Sequence, residues 1–251
     1  MTNHTPTPTP DDLVIHQDAH VLVINKPSGL AVQAGRGLTE SLEDHLRPFA
    51  KSKGRMPKLV HRLDRGTSGV MVVARTKPAA AFLSDAFARR QVQKTYWAVV
   101  AGTLPQPSGT LDHPLRRQNN RQGGPDLMQV CDANAEGAQD ARTTYRTLAV
   151  GDGLSLLACQ PKTGRMHQIR VHLAHAGCPI VGDPLYGGPI WPESARLHLH
   201  AYRLACDHPG GGTLEGVVPP PADLQAAWRD RGLTLPTEMV TRPQVVLETP
   251  A

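Results

Sequence analysis

The sequence predicts an α+β fold with a mixed, mostly antiparallel sheet and flanking helices. Short apolar runs rich in β-branched residues outnumber the segments of helical character, and several of these runs follow one another directly. A doubly wound fold would instead alternate strands and helices strictly. The chain has 251 residues, 39% hydrophobic and 20% charged, which is typical of a globular protein with a sizeable core.

Six segments have the sequence of strands, and turn residues bound most of them. They are residues 20–25, 69–75, 94–102, 143–150, 154–161 and 196–206. A polar, Gly-containing stretch at 116–141 predicts a long loop with one weak strand at 127–130.

Four segments have helical character, and they are residues 39–50, 76–91, 166–177 and 222–232. Thr39 and Thr76 are candidate N-caps, because their hydroxyls accept hydrogen bonds from first-turn N–H groups. Asp85 and Arg89 are four residues apart and share one helix face. Gly177 is placed to close the third helix.

The two ends of the chain differ from the rest in composition. Residues 1–12 are polar and Pro-rich, which predicts a disordered tail, and a Pro-containing tail is predicted at 236–251. The residues between these tails, 13–235, are predicted to form one catalytic domain. The N-terminus has no apolar core of a signal peptide, and no apolar run reaches the roughly 18 residues needed to span a membrane. We therefore expect a cytoplasmic protein that does not contact a membrane.

Charge and cysteine content restrict the partners. The chain has 27 Lys and Arg against 22 Asp and Glu, a net charge of +5, which favours a polyanionic partner. The four cysteines have no Cys-x-x-Cys spacing, so neither a zinc knuckle nor a dithiol motif is predicted. Twelve histidines invite a metal hypothesis, but neither His172 with His175 nor His198 with His200 has an acid or Cys in a known ligand pattern. We expect no metal and structural roles for these histidines.

One carboxylate is surrounded by cations in the sequence HRLDRGTSG, which runs from His61 to Gly69. Asp64 lies between Arg62 and Arg65 in a turn that precedes an apolar strand. This pattern has two interpretations. It is either a surface turn with a weak ion pair or a catalytic Asp kept ionised by its neighbours.

Two further segments combine with the Asp64 turn. Lys94 and Tyr96 precede an apolar strand, and Arg165 follows a glycine at a predicted helix start. Each feature alone has a structural explanation, as strand filler or as a turn. Together, an acid, a tyrosine, an arginine and a basic surface form a coherent site for a flat ring within a polyanion.

These segments resemble the RluA family of pseudouridine synthases. HRLDRGTSGVMVVAR resembles the signature around the family's catalytic Asp, and KTYWAVVAG its second strand motif. TGRMHQIRVHLAHAGCPIVGDPLYG resembles the third motif, with Met166 where Thr is commoner, and VINKPSGLAVQ and LHLHAYRLACDHP resemble the opening and closing motifs. The resemblance covers roughly residues 12–230. It implies the pseudouridine synthase catalytic fold.

The resemblance also implies a reaction and a site. Uridine in RNA is isomerised by breaking the N1–C1′ bond and joining C5 to C1′, without a cofactor. Asp64 is implied as the catalytic group, either attacking the sugar carbon or removing a sugar proton to give a glycal. Arg165 is implied as its cationic partner, and Tyr96 as the residue that stacks on the flipped uracil and helps to move the C5 proton.

RNA contacts are expected from several cations. By resemblance, Arg62 fills the gap that the flipped base leaves, and local pairing with Asp64 or a surface role is the alternative. Lys94, Arg116, Arg117 and Arg121 are candidate phosphate contacts, and a solvated surface charge is the alternative for each.

The expected partner is RNA, either tRNA, rRNA or both, and a monomer is the default oligomeric state. Many family members carry a small RNA-binding domain before the catalytic one, and only the Pro/Thr tail precedes Leu13 here. The chain therefore resembles the short, stand-alone branch. Two other classes stay open at this point: an RNA-binding protein that has lost the chemistry, and a metal-dependent hydrolase built on the histidines.

Overall fold

The structure, a computed structural model, describes residues 9–35, 40–51, 54–118 and 126–248. The chain divides into two compact units. The first contains Met1–Val92, Leu204–Val218 and Arg242–Ala251, and the second contains Gln93–Arg203 and Pro219–Thr241.

The elements of the first unit come from three separate stretches of chain, and the longest lies before Val92. The elements before Val92 are, in chain order, α1 (Pro10–Leu13), β1 (Val14–Gln17), β2 (Val21–Lys26), α2 (Leu42–His45), a 3-10 helix (Arg47–Phe49), β3 (Lys58–Leu59), β4 (Ser68–Ala74) and α3 (Lys77–Ala88).

The second unit supplies most of the remaining elements. The elements after Val92 are, in chain order, β5 (Gln93–Ala101), β6 (Ser108–Asp112), β7 (Leu115–Gln118), β8 (Leu127–Val130), β9 (Arg142–Gly151), β10 (Leu154–Pro161), α4 (Gln168–His175), β11 (Leu199–Asp207), β12 (Thr213–Val217), α5 (Ala222–Asp230) and β13 (Gln244–Glu248). Of these, β12, β13 and the last residues of β11 belong to the first unit.

In the first unit, β4 is the central strand, and all seven of its residues are buried. It pairs antiparallel with β2, with Lys26 opposite Gly69 and Val21 opposite Ala74. This register brings the end of β2 beside the start of β4. The turn after β2 and the loop that carries Asp64 therefore meet at the same end of the sheet.

In the second unit, β5 and β10 are antiparallel neighbours, and β9 and β6 follow in order. Alternation along β5 sends side chains to two cores. Ala98 and Val100 pack with Ile169 and Leu173 of α4, whereas Trp97 and Val99 pack with Leu224 and Trp228 of α5. Helices thus cover both faces of these strands.

The predicted fold class is confirmed: the chain is α+β, and the strand pairs β1–β2, β2–β4, β5–β10, β9–β10 and β6–β9 are all antiparallel. The predicted cap Thr76 accepts from the N–H of Ala79 at 3.2 Å. Arg89 Nε donates to Asp85 at 3.0 Å, as the spacing predicted.

The predicted helix at 39–50 is wrong as a single helix. Its first residue, Thr39, lies outside the described ranges, and the only helical parts of the described remainder are the one-turn α2 and the 3-10 turn that follows it. Ser41 begins α2 through a capping box with Asp44. Pro48 lacks an N–H and cannot extend the α-helical ladder, which explains the change to a 3-10 turn.

Two other segments are more ordered than the sequence predicted. The predicted weak strand at 127–130 exists as β8, but it pairs with a second strand, β7, inside the segment predicted as a loop. Residues 244–248, placed in a tail by the sequence, form β13 and pair antiparallel with β12. Among the described residues, no helix is both long and apolar enough to cross a membrane.

Candidate active site

Asp64 lies in a short loop that leads into β4. Leu63 before it is 5% exposed and Thr67 after it is 2% exposed, so buried side chains anchor the loop on both sides of the carboxylate. The N–H of Thr67 donates to the backbone oxygen of Asp64 at 3.0 Å and closes a turn. Asp64 itself is half-buried, whereas Arg62 and Arg65 are exposed. The loop therefore presents one partly accessible carboxylate from a fixed backbone.

A buried lysine braces this loop from the turn after β2. Lys26 is fully buried, and its ammonium donates to the carbonyl oxygens of Pro27 and Leu30 at 2.8 Å and of Arg65 at 3.3 Å. Ser28 Oγ donates to the carbonyl oxygen of Gly66 at 2.7 Å. Buried charges in proteins require such compensation. The opening motif thus positions the backbone immediately after Asp64.

Gly29 forms two further hydrogen bonds between the turn after β2 and the Asp64 loop, one as donor and one as acceptor. Its N–H donates to the Arg65 carbonyl at 2.8 Å, and its own carbonyl accepts from Arg65 Nε at 2.9 Å. Gly29 has φ +86, a left-handed conformation that glycine adopts without strain. The Arg65 side chain is consequently directed to the turn after β2.

We expect Lys26→Met to destabilise the protein by about 1 to 3 kcal/mol, because three carbonyl oxygens lose a charged donor. It should also slow catalysis, since the loop that carries Asp64 loses its brace. Urea unfolding and the single-turnover rate measure the two effects, with the exposed Lys162→Met as the control. An unfolding midpoint equal to that of the wild type would contradict the role of Lys26.

Tyr96 and Lys94 lie near the start of β5 in the second unit. Tyr96 pairs in register with Cys159 of β10, is half-buried, and packs against the α4 side of the sheet. Trp97 points to the opposite face, as strand alternation requires. Burial lowers the pKa of the Lys94 ammonium. Lys94 is therefore less solvated than a typical surface lysine.

Arg165 lies in the turn before α4, and a buried glutamine fixes this turn. The side-chain oxygen of Gln168 accepts from Thr163 Oγ1 at 2.6 Å and from the N–H of Arg165 at 3.1 Å. Gln168 Nε2 donates to the Arg142 carbonyl at 2.9 Å and to Thr143 Oγ1 at 3.0 Å. All polar atoms of this amide are thus used to hold the turn.

The Arg165 guanidinium has a backbone acceptor. Its Nε donates to the carbonyl oxygen of Asp140 at 3.0 Å. A carbonyl orients a guanidinium without cancelling its charge. Arg165 is therefore a cation oriented by a neutral acceptor.

Arg116 and Arg117 lie on β7, which is tied to the same region. Leu115 exchanges two backbone hydrogen bonds of 2.9 Å with Gln139, next to the residue that holds Arg165. Arg117 is exposed and forms an ion pair with Asp126, which raises the pKa of its guanidinium. This pairing offsets part of its charge, so Arg116 is the stronger candidate for a phosphate contact.

Tyr186 joins the β7–β8 hairpin to the start of α4. Its hydroxyl accepts from the N–H of Met128 at 3.0 Å and lies 2.8 Å from His167 Nδ1. His167 begins the helix in a left-handed conformation, with φ 53. Met166, in the position where the motif more often has Thr, packs in the small core beneath the hairpin.

A buried ion pair holds α4 against the loop that follows it. Arg170 donates through Nε and a terminal nitrogen to the two carboxylate oxygens of Asp183, each at 2.7 Å. The two side chains are 7% and 0% exposed. Asp183 also accepts from the N–H of Leu185 at 3.0 Å, and the guanidinium lies 5.1 Å from the Tyr186 ring centroid. Arg170 is thus a structural residue rather than an RNA contact.

The predicted site residues are distributed over both units. Asp64 and Arg62 belong to the first unit, and Tyr96, Lys94 and Arg165 belong to the second, together with Arg116 and Arg117. Arg121 lies outside the described residues. Sequence reasoning missed Lys26 and Gln168. The sequence signals for Lys26 were its position directly before the Pro/Gly turn and its place in the opening motif.

The described histidines that sequence reasoning weighed as metal ligands have structural partners. His172 is buried between Thr143 Oγ1 and the His113 carbonyl, each at 3.0 Å, and burial lowers its pKa. Trp228 Nε1 donates to His198 Nδ1 at 3.0 Å, and burial lowers the pKa of His198 to about 4. Within the described ranges, no three His, Cys, Asp or Glu side chains are grouped to hold a metal ion.

Comparison with known proteins identifies the class of this enzyme. The family model for RNA pseudouridylate synthase matches residues 20–175. An uncharacterized RNA pseudouridine synthase from Zymomonas mobilis is 40% identical over 192 residues, which are 76% of this chain and 85% of the relative. Ribosomal large subunit pseudouridine synthase D from Xanthomonas campestris is 40% identical over 229 residues, 84% of this chain and 67% of the relative.

The solved structures agree with this result. Human RNA pseudouridylate synthase domain containing 4 superposes with a TM-score of 0.76 at 29% identity, and the match covers 90% of this chain and 95% of the human chain. The chain belongs to the RNA pseudouridylate synthase family and is therefore an isomerase. Within that class it is a member of the RluA family, as its motifs predicted.

Proposed function

We propose that this enzyme isomerises uridine to pseudouridine in ribosomal RNA of the large subunit, with Asp64 as the catalytic group and without a cofactor. The half-buried Asp64 carboxylate, on a loop braced by Lys26, is the observation that carries the proposal. The relative named ribosomal large subunit pseudouridine synthase D favours this RNA as the first substrate to test. Transfer RNA is the second.

The reaction requires the target uridine to leave its stack, at a cost of a few kcal/mol. The N1–C1′ bond then breaks, the uracil turns, C5 bonds to C1′, and the proton on C5 leaves. In one route the Asp64 carboxylate attacks C1′ and is later displaced by C5. In the other route it removes a sugar proton to give a glycal and returns it afterwards. Both routes need an ionised carboxylate at a fixed position, which the braced loop supplies.

The other proposed roles follow from chemistry. Arg165 is the proposed cationic partner of the reacting carboxylate, and its own hydrogen bond goes to a neutral acceptor, the Asp140 carbonyl. Tyr96 supplies a flat ring for stacking on uracil and a hydroxyl for the C5 proton. Arg62 is exposed on the Asp64 loop and supplies a planar guanidinium for the space that the flipped base leaves. Lys94, Arg116 and Arg117 are proposed phosphate contacts.

We expect Tyr96→Phe to retain RNA affinity within about twofold, because the ring still stacks, and to lower the turnover rate by about 10²-fold, because the hydroxyl is lost. Filter binding and single-turnover pseudouridine formation separate the two effects. Tyr202→Phe, which removes a hydroxyl that accepts from the N–H of Val240, is the matched control. Wild-type turnover in Tyr96→Phe would remove the proton-transfer role and leave the stacking role.

The decisive assay uses RNA tritiated at uridine C5, because pseudouridine formation releases that tritium to water. Purified enzyme with chelator is incubated separately with large-subunit rRNA and with tRNA. Release from rRNA supports the proposal, whereas release from tRNA alone would correct the substrate. Loss of activity in chelator, restored by added metal, would contradict cofactor-free chemistry.

The cytoplasmic location stays a prediction, and sedimentation of the purified enzyme tests the expected monomer.

A further inference from the structure

A basic groove lies in the first unit, at the end of β4 away from Asp64. Its volume is about 970 Å³, and the hairpin region around β3 and the first turns of α3 form its walls. Lys51, Arg55, Lys58, Arg75 and Lys77 line it, and the one carboxylate among the lining residues is Glu43. Cations thus outnumber acids by five to one in a protein whose whole net charge is +5.

Two of these cations are held in position by backbone oxygens. Lys51 Nζ donates to the Ala19 carbonyl at 2.7 Å, and Arg75 donates to the Asp18 carbonyl in the same turn. Carbonyl acceptors orient a cation but leave its charge uncompensated. Lys58 and Lys77 are exposed on the facing walls. The groove therefore concentrates positive charge, which attracts an anionic ligand.

The helix N-terminus contributes little to anion binding here. The N–H of Ala79 donates to Thr76 Oγ1, and the N–H of Ala80 donates to the Thr76 carbonyl. Pro78 has no N–H to donate. Side chains must therefore contact the ligand. Flexible lysines on two walls suit a chain of phosphates better than a single phosphate in a tight cup.

The location of the groove excludes it as the pocket for the reacting uridine. The loop of Asp64 precedes Ser68, whereas Arg75 and Thr76 follow Ala74 at the other end of β4. Seven strand residues at about 3.3 Å each separate the two ends by about 20 Å. An RNA held at Asp64 reaches the groove only through nucleotides well outside the target.

We propose that this groove binds the phosphodiester backbone of the substrate RNA, away from the modified uridine. The proposal rests on the proposed function and adds a second contact to it. The apolar part of the lining, which includes Met56 at 40% exposure and Leu59, provides a surface for the riboses between phosphates. The groove makes the enzyme prefer a target uridine embedded in a long RNA over the same uridine in a short stem-loop.

The test compares two RNAs with two double variants. One RNA is a short stem-loop with the target uridine, and the other carries the same stem-loop within its flanking helices. Lys58→Gln/Lys77→Gln removes two charges from the groove. Arg89→Gln/Arg229→Gln, at the exposed C-cap of α3 and an exposed position on α5, both outside the groove lining, removes the same charge elsewhere. KM, kcat and the salt dependence of RNA binding are measured for each pair.

We expect the groove variant to raise KM for the long RNA by about tenfold or more and to lower the slope of log K against log salt by about 0.7 to 0.9 per lost contact. Its kinetics on the stem-loop should match those of the wild type, and the control variant should change neither RNA selectively. Equal kinetics of groove variant and wild type on the long RNA, or equal losses on both RNAs, would overturn the proposal. Absence of wild-type activity on either RNA would instead contradict the proposed function.

Discussion

Asp64→Asn should lower the rate of pseudouridine formation by on the order of a thousandfold or more, while RNA affinity stays within about twofold of wild type. Asparagine has nearly the same size and keeps one oxygen acceptor, so the loop between Leu63 and Thr67 should keep its position. It has no negative charge, so it neither attacks C1′ nor removes a sugar proton. The loss is therefore expected in kcat rather than in binding.

Single-turnover assays of tritium release and filter binding to the same RNA measure this separation. Asp85→Asn, an equivalent change at an exposed position of α3, is the matched control and should leave both quantities near wild type. Substantial activity in Asp64→Asn would contradict the assignment of this carboxylate as the catalytic group. Equal losses of binding and turnover would indicate that Asp64 holds the RNA instead of reacting with it.

Arg170→Leu should lower the free energy of unfolding by about 3 to 5 kcal/mol, because it leaves the Asp183 carboxylate buried without its partner. In a chain of this size that loss lowers Tm by on the order of 10 °C. Asp183→Asn should have a smaller effect in the same direction, since the amide oxygen still accepts one hydrogen bond. Both changes loosen α4 against the loop around Asp183 and Tyr186.

A double variant separates the charge effect from a packing effect. Arg170→Met/Asp183→Leu removes both charges, so it should recover part of the stability lost in Arg170→Leu. Recovery should be incomplete, because the N–H of Leu185 loses its acceptor on Asp183. Arg89→Leu, at the exposed pair with Asp85, should cost under about 1 kcal/mol. A urea midpoint of Arg170→Leu close to that of Arg89→Leu would contradict the role assigned to the buried pair.

Local signals explain which elements the sequence predicted well. Residues 154–161 form β10 with the predicted bounds, since most of that run is apolar and it ends at a proline. The Thr76 cap located the start of α3 at Lys77, whereas the helix ends at Ala88, three residues before the predicted end. The strand β7 was missed, because its Arg-Arg-Gln sequence has no apolar alternation and its partner β8 follows only after a polar stretch of sequence.

Burial of charged side chains was the least predictable property of the site. Arg170 and Arg165 are both cations of the third motif. Arg170 is buried in an ion pair with Asp183, whereas Arg165 donates a hydrogen bond to a backbone carbonyl. Thirteen residues separate Arg170 from Asp183, and no local pattern joins them. Lys26 precedes a Pro/Gly turn, which indicates a surface position. Its burial depends on carbonyls that include one 39 residues later in the chain.

The pairing of β13 with β12 has a consequence for the handling of this protein. A shortened version that ends near Pro236, as the polar composition of the last residues invites, would remove Gln244–Glu248 and leave one edge of β12 with unpaired backbone groups. Such an edge is a template for intermolecular strand addition and aggregation. A tag placed after residue 251 preserves this protective strand, and Gln244–Glu248 therefore belongs in every expressed form.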